Sequence, residues 1–176
     1  VPWQGISVNF AFTRQSSKDK TRGPTYKGIN GKTWYILLAD HFSTLLDGAP
    51  RISKGAPLNW LDNWLQQHAP KIPGQYVYLD QGGELYNNNK VRALFQRHGY
   101  DILPTGADSS HQNGPVERAH QTIGNALCTM LTGANLDARF WPYAFHCYIC
   151  IKNALPFKDQ SSSPNFLRLG HKPNFR

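Results

Sequence analysis

Tyr76-Val77-Tyr78-Leu79-Asp80-Gln81-Gly82-Gly83 is the stretch on which the reading of this chain turns. A short run of strand-forming residues ends in a carboxylate, and a glycine pair follows at once. An Asp at a strand terminus beside flexible backbone is well placed to face a ligand. Upstream, after Pro57, the residues Leu58, Leu61, Trp64 and Leu65 recur at the spacing of an amphipathic helix. A strand reached through such a helix returns parallel to its neighbour.

Further upstream the pattern is one of strands. Gly5-Ile6-Ser7-Val8-Asn9-Phe10-Ala11-Phe12 alternates at period two and then becomes mostly apolar. Trp34 to Ala39 reads as a second strand, and Ser43 to Gly48 belongs to a third, so these early strands are linked antiparallel. Between the first two lies a polar stretch, Thr13 to Gly31, carrying Arg14, Lys18, Lys20, Arg22 and Lys27, expected as a long basic loop or hairpin tip.

Downstream, Asn87 is placed to cap a helix bearing Val91, Leu94 and Phe95 and stopping at Gly99. Tyr100 to Leu103 is one more strand, and Pro104 to Gly114 reads as a loop. A long helix is expected from Gly114-Pro115 to Gly133, with Val116, Ile123, Leu127 and Leu131 on one side. Another starts at Asp137 and runs to about Ala154, closed by Pro156. Three strands, helix, strand, helix, strand and then helices make an α/β layered domain. This order is the one expected of a ribonuclease H-like fold, a five-stranded mixed sheet flanked by helices. Residues 1–156 are expected to form the core and 157–176 a C-terminal extension of it.

The composition bounds the function. The 176 residues suit one compact domain, and 40% of them are apolar, enough for a sizeable core. No apolar run approaches the roughly 18 to 20 residues that span a bilayer. Val1-Pro2-Trp3-Gln4 has neither an initiator Met nor a signal-peptide pattern, which suggests a fragment, either cut from a longer polyprotein or designed as a piece. Lys and Arg outnumber Asp and Glu by 19 to 11, a net charge of +8 that favours a polyanionic partner, nucleic acid being the commonest. Cys128, Cys147 and Cys150 make no disulfide framework, and Cys147-x-x-Cys150 has no second pair to complete a zinc site, so buried free thiols are expected. Such thiols suit a reducing compartment.

Two carboxylates stand out. Asp80 closes a buried strand, and Glu117 is expected in the first turn of the long helix, near its positive end. Hard divalent cations take oxygen ligands from two or three carboxylates and keep positions for water and phosphate. Alone, this pair is weak; most carboxylates are solvated or cap helices.

The words around them carry a resemblance. Leu79-Asp80-Gln81-Gly82-Gly83-Glu84-Leu85 resembles the Asp-x-Gly-Gly-Glu-Phe motif of Ty1/copia-type (Pseudoviridae) retrotransposon integrases. His111-Gln112-Asn113-Gly114-Pro115-Val116-Glu117-Arg118 is similar to their Gln-Asn-Gly-x-x-Glu-Arg block. Phe140-Trp141 with Ala144, and Asn153-Ala154-Leu155-Pro156, resemble their following helix. Ser163-Pro164 and Gly170-His171-Lys172-Pro173 resemble the end of their core, and Leu38 to Ser43 their second-strand motif. The blocks run in order through nearly the whole chain.

The resemblance implies a ribonuclease H-like integrase catalytic core with an Asp-Asp-Glu triad and two Mg²⁺ or Mn²⁺ ions. It implies attack of the element's DNA 3′ ends on target DNA, homo-oligomerisation through the core, and action in the nucleus after particle assembly in the cytoplasm. The matched positions are Asp80 and Glu117. The first Asp position falls on Asn9, which keeps a carbonyl oxygen but loses the charge two cations would share. A deliberate Asp-to-Asn replacement or decay of an old element would each leave such a residue. Weak metal binding and little strand transfer are expected, and the rival reading is a catalytically inactive DNA-binding or assembly module that keeps the fold.

Asp40 is a rival first carboxylate, although holding the next turn through Ser43 is its better role. Gln112 and Asn113, in the loop before the helix, together with Arg118, His120, Arg14, Lys18, Lys20 and Arg22, are the candidate DNA contacts. The five tryptophans read as core or interface rather than as stacking platforms. Full integrases of the family carry an N-terminal His/Cys zinc domain, and no such set precedes residue 111. The core alone is expected to bind DNA weakly, without sequence preference and in a salt-sensitive way.

Overall fold

In the computed structural model, residues 1–12, 26–80, 84–104, 110–156 and 161–170 are described; for residue 104 and residues 110–115 this covers the backbone alone. The first strand, β1 (Gly5–Phe12), runs over the residues its alternation predicts. Next come β2 (Trp34–Asp40) and β3 (Leu46–Arg51), then α1 (Leu58–His68), β4 (Gln75–Leu79), α2 (Asn89–Arg97) and β5 (Tyr100–Pro104). The chain ends with α3 (Ser110–Gly133), α4 (Trp141–Ala154) and the short α5 (Pro164–Leu169). The sheet order is β3-β2-β1-β4-β5. β1, β2 and β3 pair antiparallel, while β4 runs parallel to both β1 and β5. This is the ribonuclease H-like, five-stranded mixed sheet the element order predicts.

Side-chain alternation divides the interior into two layers. Ile6, Val8 and Phe10 of β1 join Ile36, Leu38, Val77 and Leu79 against Leu61, Trp64 and Leu65 of α1 and Val91, Leu94 and Phe95 of α2. On the other face, Tyr35, Leu37, Ala39 and Leu46 meet Val116, Ile123, Leu127 and Leu131 of α3 and Trp141, Ala144, Phe145 and Ile149 of α4. β2 is covered on both faces, which explains its unbroken apolar run. Trp3, Trp64 and Trp141 are buried in these layers, as expected, and Trp34 and Trp60 are partly buried. Gly48 lets α4 approach closely: a Cβ there would run into the Ile36 carbonyl and come within 3.2 Å of the Phe145 ring.

Several boundaries differ from the sequence reading. β3 begins at Leu46 rather than Ser43, because Ser43 is taken into a turn by Asp40. Asn88, not Asn87, caps α2, its side chain accepting from the Lys90 and Val91 N–H groups at 3.0 and 3.3 Å. The long helix starts at Ser110, so residues 110–114 are helical rather than loop. Pro115 is then the sixth residue counted from Ser110, past the turn whose N–H groups lack partners, and forgoes one helical hydrogen bond. Burial of Val116 and Ile123 against the sheet overrides that local preference. The cysteines are free, as expected, but exposed rather than buried. The buried side of α4 is set by Trp141, Ala144, Phe145 and Ile149, and Cys147 and Cys150 fall outside it. The basic loop Thr13 to Gly31 lies outside the described residues up to residue 25.

The last turn of α4 protects the edge of the sheet. β3 is an edge strand, and backbone groups turned outward from such a strand need partners. Asn153, buried, accepts from the Leu46 N–H at 3.0 Å and donates to the Leu46 carbonyl at 2.7 Å. After α4, Ser163 caps α5 and Arg168 reaches His68 of α1, so residues 161–170 pack back onto the domain. Replacing Asn153 with Ala strands both Leu46 groups in the interior. Urea unfolding of Asn153→Ala is expected to show about 2–4 kcal/mol less stability than the native chain; an unchanged midpoint would mean the bridge contributes nothing.

Candidate active site

The site is built by the pairing of β1 with β4. Val8 stands opposite Leu79, and the Asp80 N–H points to the Val8 carbonyl at 3.4 Å. Asn9 and Asp80 are therefore the next pair along. Alternation directs both side chains away from the layer that buries Val8 and Leu79, and both are half-buried. The Asn9 Oδ1 accepts a hydrogen bond from the Phe10 N–H at 2.7 Å. Residues 81–83, which follow Asp80, lie outside the described residues.

Glu117 is exposed on α3, one residue beyond Val116, whose side chain is buried against the sheet. It is the eighth residue counted from Ser110, not part of the first turn, so the expected support from the positive helix end is withdrawn. Among the described residues no three His, Cys, Asp or Glu side chains gather as a metal-ligating group. With Asn at position 9 the proposed set holds two acidic members, Asp80 and Glu117. Its donors are all oxygen, which fits a hard divalent cation in kind. The set falls one negative charge short of the three-carboxylate version, and its neutral oxygen is already shared with a backbone N–H.

Asp40 is committed elsewhere. It is 3% exposed, and its oxygens accept from the Trp3 N–H and the Ser43 N–H, both at 2.7 Å, and from the Ser43 hydroxyl. The turn-holding role expected for it is borne out. Glu84, just past the glycine pair, reaches Lys54 at 3.2 Å across a partly exposed gap.

The candidate DNA contacts separate. Arg118 is exposed on α3. Gln112 and Asn113 sit on helical backbone rather than in a loop, and their side chains lie outside the described residues, as do Arg14, Lys18, Lys20 and Arg22 altogether. His120 is a correction. Its Nδ1 meets the Tyr35 hydroxyl at 3.0 Å, and its ring packs 5.4 Å from the Tyr35 ring. Its Nε2 is buried without a hydrogen-bond partner. It lies between α3 and β2, turned towards the sheet. The sequence reading passed over Ser7, His41, Tyr76 and Tyr78, which share the sheet face of Asn9 and Asp80. The signal was the same alternation that found the core, followed on its polar side.

The comparisons with known proteins bear on the fold and on its relatives. No protein-family model matches the chain. It is 29% identical over 146 residues to the retrovirus-related Pol polyprotein from transposon RE1 of Arabidopsis thaliana, covering 81% of this chain and 10% of that protein. It is 27% identical over 150 residues to the corresponding polyprotein from transposon RE2 of the same plant, covering 84% and 10%. The chain thus spans about a tenth of the length of these relatives. Its fold is similar to the catalytic core domain of BIV integrase, with a TM-score of 0.64 at 11% identity over 96% of this chain and 95% of that one. The fold class is therefore the ribonuclease H-like fold of a retroviral integrase catalytic core, and the homologues are retrovirus-related Pol polyproteins of transposons. The motif resemblance is joined by this sequence likeness to transposon polyproteins and by the shared fold. Among the described residues no helix is long and apolar enough to cross a membrane.

Burial holds the His120 imidazole down, from an ordinary 6.5 to about 4. Above 6.5 the ring is neutral in both the folded and the unfolded chain. Between those values only the unfolded chain takes up the proton, so this contribution to stability is lost as pH falls through the window. Urea unfolding at about pH 7.5 and pH 4.5 is expected to show an acid loss on the order of 2–3 kcal/mol larger in the native chain than in His120→Gln. Equal losses would place His120 in solvent.

Proposed function

We propose that this chain is the catalytic core of a Ty1/copia-type retrotransposon integrase, held inactive by Asn9. The observation that carries the reading is the register of β1 on β4, which brings Asn9, within β1, beside Asp80 at the carboxyl end of β4. Ligands of α/β sheets gather at such strand ends. The reaction is attack of the element's 3′-hydroxyl on a target phosphodiester. A new bond forms between that oxygen and phosphorus, and the bond to the target's own 3′-oxygen breaks. Two Mg²⁺ or Mn²⁺ ions, when bound, would activate the attacking oxygen and stabilise the leaving one. Asp80 and Glu117 would hold them, with the Asn9 carbonyl as third donor.

Asn9 preserves the shape of an Asp and removes its charge, so the chain binds metal weakly and leaves the transition-state charge poorly balanced. The partners are element ends and target DNA, bound through phosphates by the net +8 surface, with Arg118, Gln112, Asn113 and the Arg14, Lys18, Lys20 and Arg22 stretch as contacts. Self-association through the core is supported by exposed Tyr143 and Ile151 on α4. The working compartment is the nucleus, after particle assembly in the cytoplasm. Residues 1–156 form the core and 157–176 its extension. Asn9 also favours a second reading, a DNA-binding or assembly module that keeps the fold without the chemistry.

A strand-transfer assay in Mn²⁺ on branched DNA compares the native chain with Asn9→Asp. The restored carboxylate is expected to raise joining by on the order of 10²–10³-fold, the usual worth of one group that stabilises a transition state. If Asn9→Asp binds DNA and still joins nothing, the module reading replaces the enzymatic one. Equal activity of both would show that Asn9 disables nothing.

A further inference from the structure

On the sheet face of Asn9 and Asp80, the positions running back along β1 and β4 are Ser7 with Tyr78, then Gly5 with Tyr76. Each step is two residues, about 6.6 Å along the strands. His41, in the turn after β2, completes the group. Its ring lies nearly flat on Tyr78, with centroids 5.5 Å apart at 19°, and meets Tyr76 edge-on at 5.7 Å. Tyr76 and Tyr78 also meet edge-on, at 5.7 Å.

The arrangement is held from beneath. Ser7, 1% exposed, bonds the His41 Nε2 through its hydroxyl at 2.8 Å, and the His41 N–H donates to the Gly5 carbonyl at 2.9 Å. A Cβ at Gly5 would run into the Tyr76 ring, so only glycine leaves room for that ring over β1. Ser7 is too deeply buried to meet a substrate and serves to position His41.

Parallel strands are ordinarily covered on both faces. Here Gln75, Val77 and Leu79 are buried, whereas Tyr76, Tyr78 and Asp80 on the opposite face stay half-buried and Asp101 of β5 is exposed. The layer beneath α3 and α4 takes its sheet residues chiefly from β2 and β3 and includes none of the three rings. The proposed chemistry uses none of them either. They are flat, carry no fixed charge and begin one step from Asp80, and the chain's net charge of +8 suits a phosphate backbone alongside.

We propose that His41, Tyr76 and Tyr78 form a stacking seat for an unpaired nucleobase of the DNA strand that passes Asn9 and Asp80. All three rings stay partly exposed, so the cluster offers aromatic surface on which a base can stack. Such a seat is tolerant of sequence, because every base has a π-face. This inference rests on the integrase reading and deepens it from DNA in general to DNA with an unpaired end.

The test is a binding titration of the native chain without divalent metal, which separates binding from joining. The probe is a duplex whose single-stranded 3′ end carries 2-aminopurine, and a blunt duplex serves as competitor. The native chain is expected to quench the probe and prefer it to blunt DNA. Tyr78→Ala is expected to lose that preference, by roughly 5- to 100-fold for one stacked base, while Tyr78→Phe keeps it. Circular dichroism checks that each variant is folded; should Tyr78→Ala not fold, His41→Ala reads the same loss from a turn. Binding of both DNAs with equal affinity, or a Tyr78→Ala chain that matches the native one, overturns the seat and leaves the integrase reading standing. Failure to bind either DNA at low salt overturns both.

Discussion

The parallel pairing of β1 with β4 is the constraint from which the rest of the molecule follows. Ile6, Val8, Val77 and Leu79 must face α1 and α2 together, and a slip of one residue would turn that apolar set towards water. The register is thereby locked by burial. Asn9 and Asp80 come to lie side by side as a consequence, on the opposite face, where no core layer claims them. The polar site is positioned by residues that never touch it.

The same logic accounts for what the sequence made legible. β1, β2, α1 and the buried side of α3 were readable because burial stamps its period on the residues: Ile6-Ser7-Val8-Asn9-Phe10 for a strand, Leu58, Leu61 and Leu65 for a helix. The start of α3 was not, because Pro115 reads locally as a first-turn residue, whereas the helix runs through it from Ser110 and is held by packing further along. The cap of α2 was missed by one position, since neighbouring asparagines are equivalent until the backbone chooses. Cys147 and Cys150 lie in an apolar helix, and sequence alone did not tell which of its sides the sheet takes. His120 sits on a helix beside Glu117 and Arg118, and only the Tyr35 hydroxyl opposite it reveals an inward-facing ring.

Within the site the sequence named Asn9, Asp80 and Glu117 through motifs, and geometry adds why Asn9 matters. Two carboxylates side by side on adjacent strands repel unless a cation lies between them. An amide beside Asp80 removes that repulsion and with it the demand for a counter-ion, and its oxygen settles on the Phe10 N–H instead. In the proposed site this lowers the pull on a dication below that of a three-carboxylate set.

Calorimetric titration of Mn²⁺ into the native chain and into Asn9→Asp tests this most directly, because it reads the site without requiring DNA or turnover. A second carboxylate beside Asp80 should tighten binding at least roughly tenfold, in line with the Coulomb gain of one added charge near a dication. Equal and weak affinities in both chains would mean that position 9 and Asp80 do not share a cation, and the account of the site would be wrong.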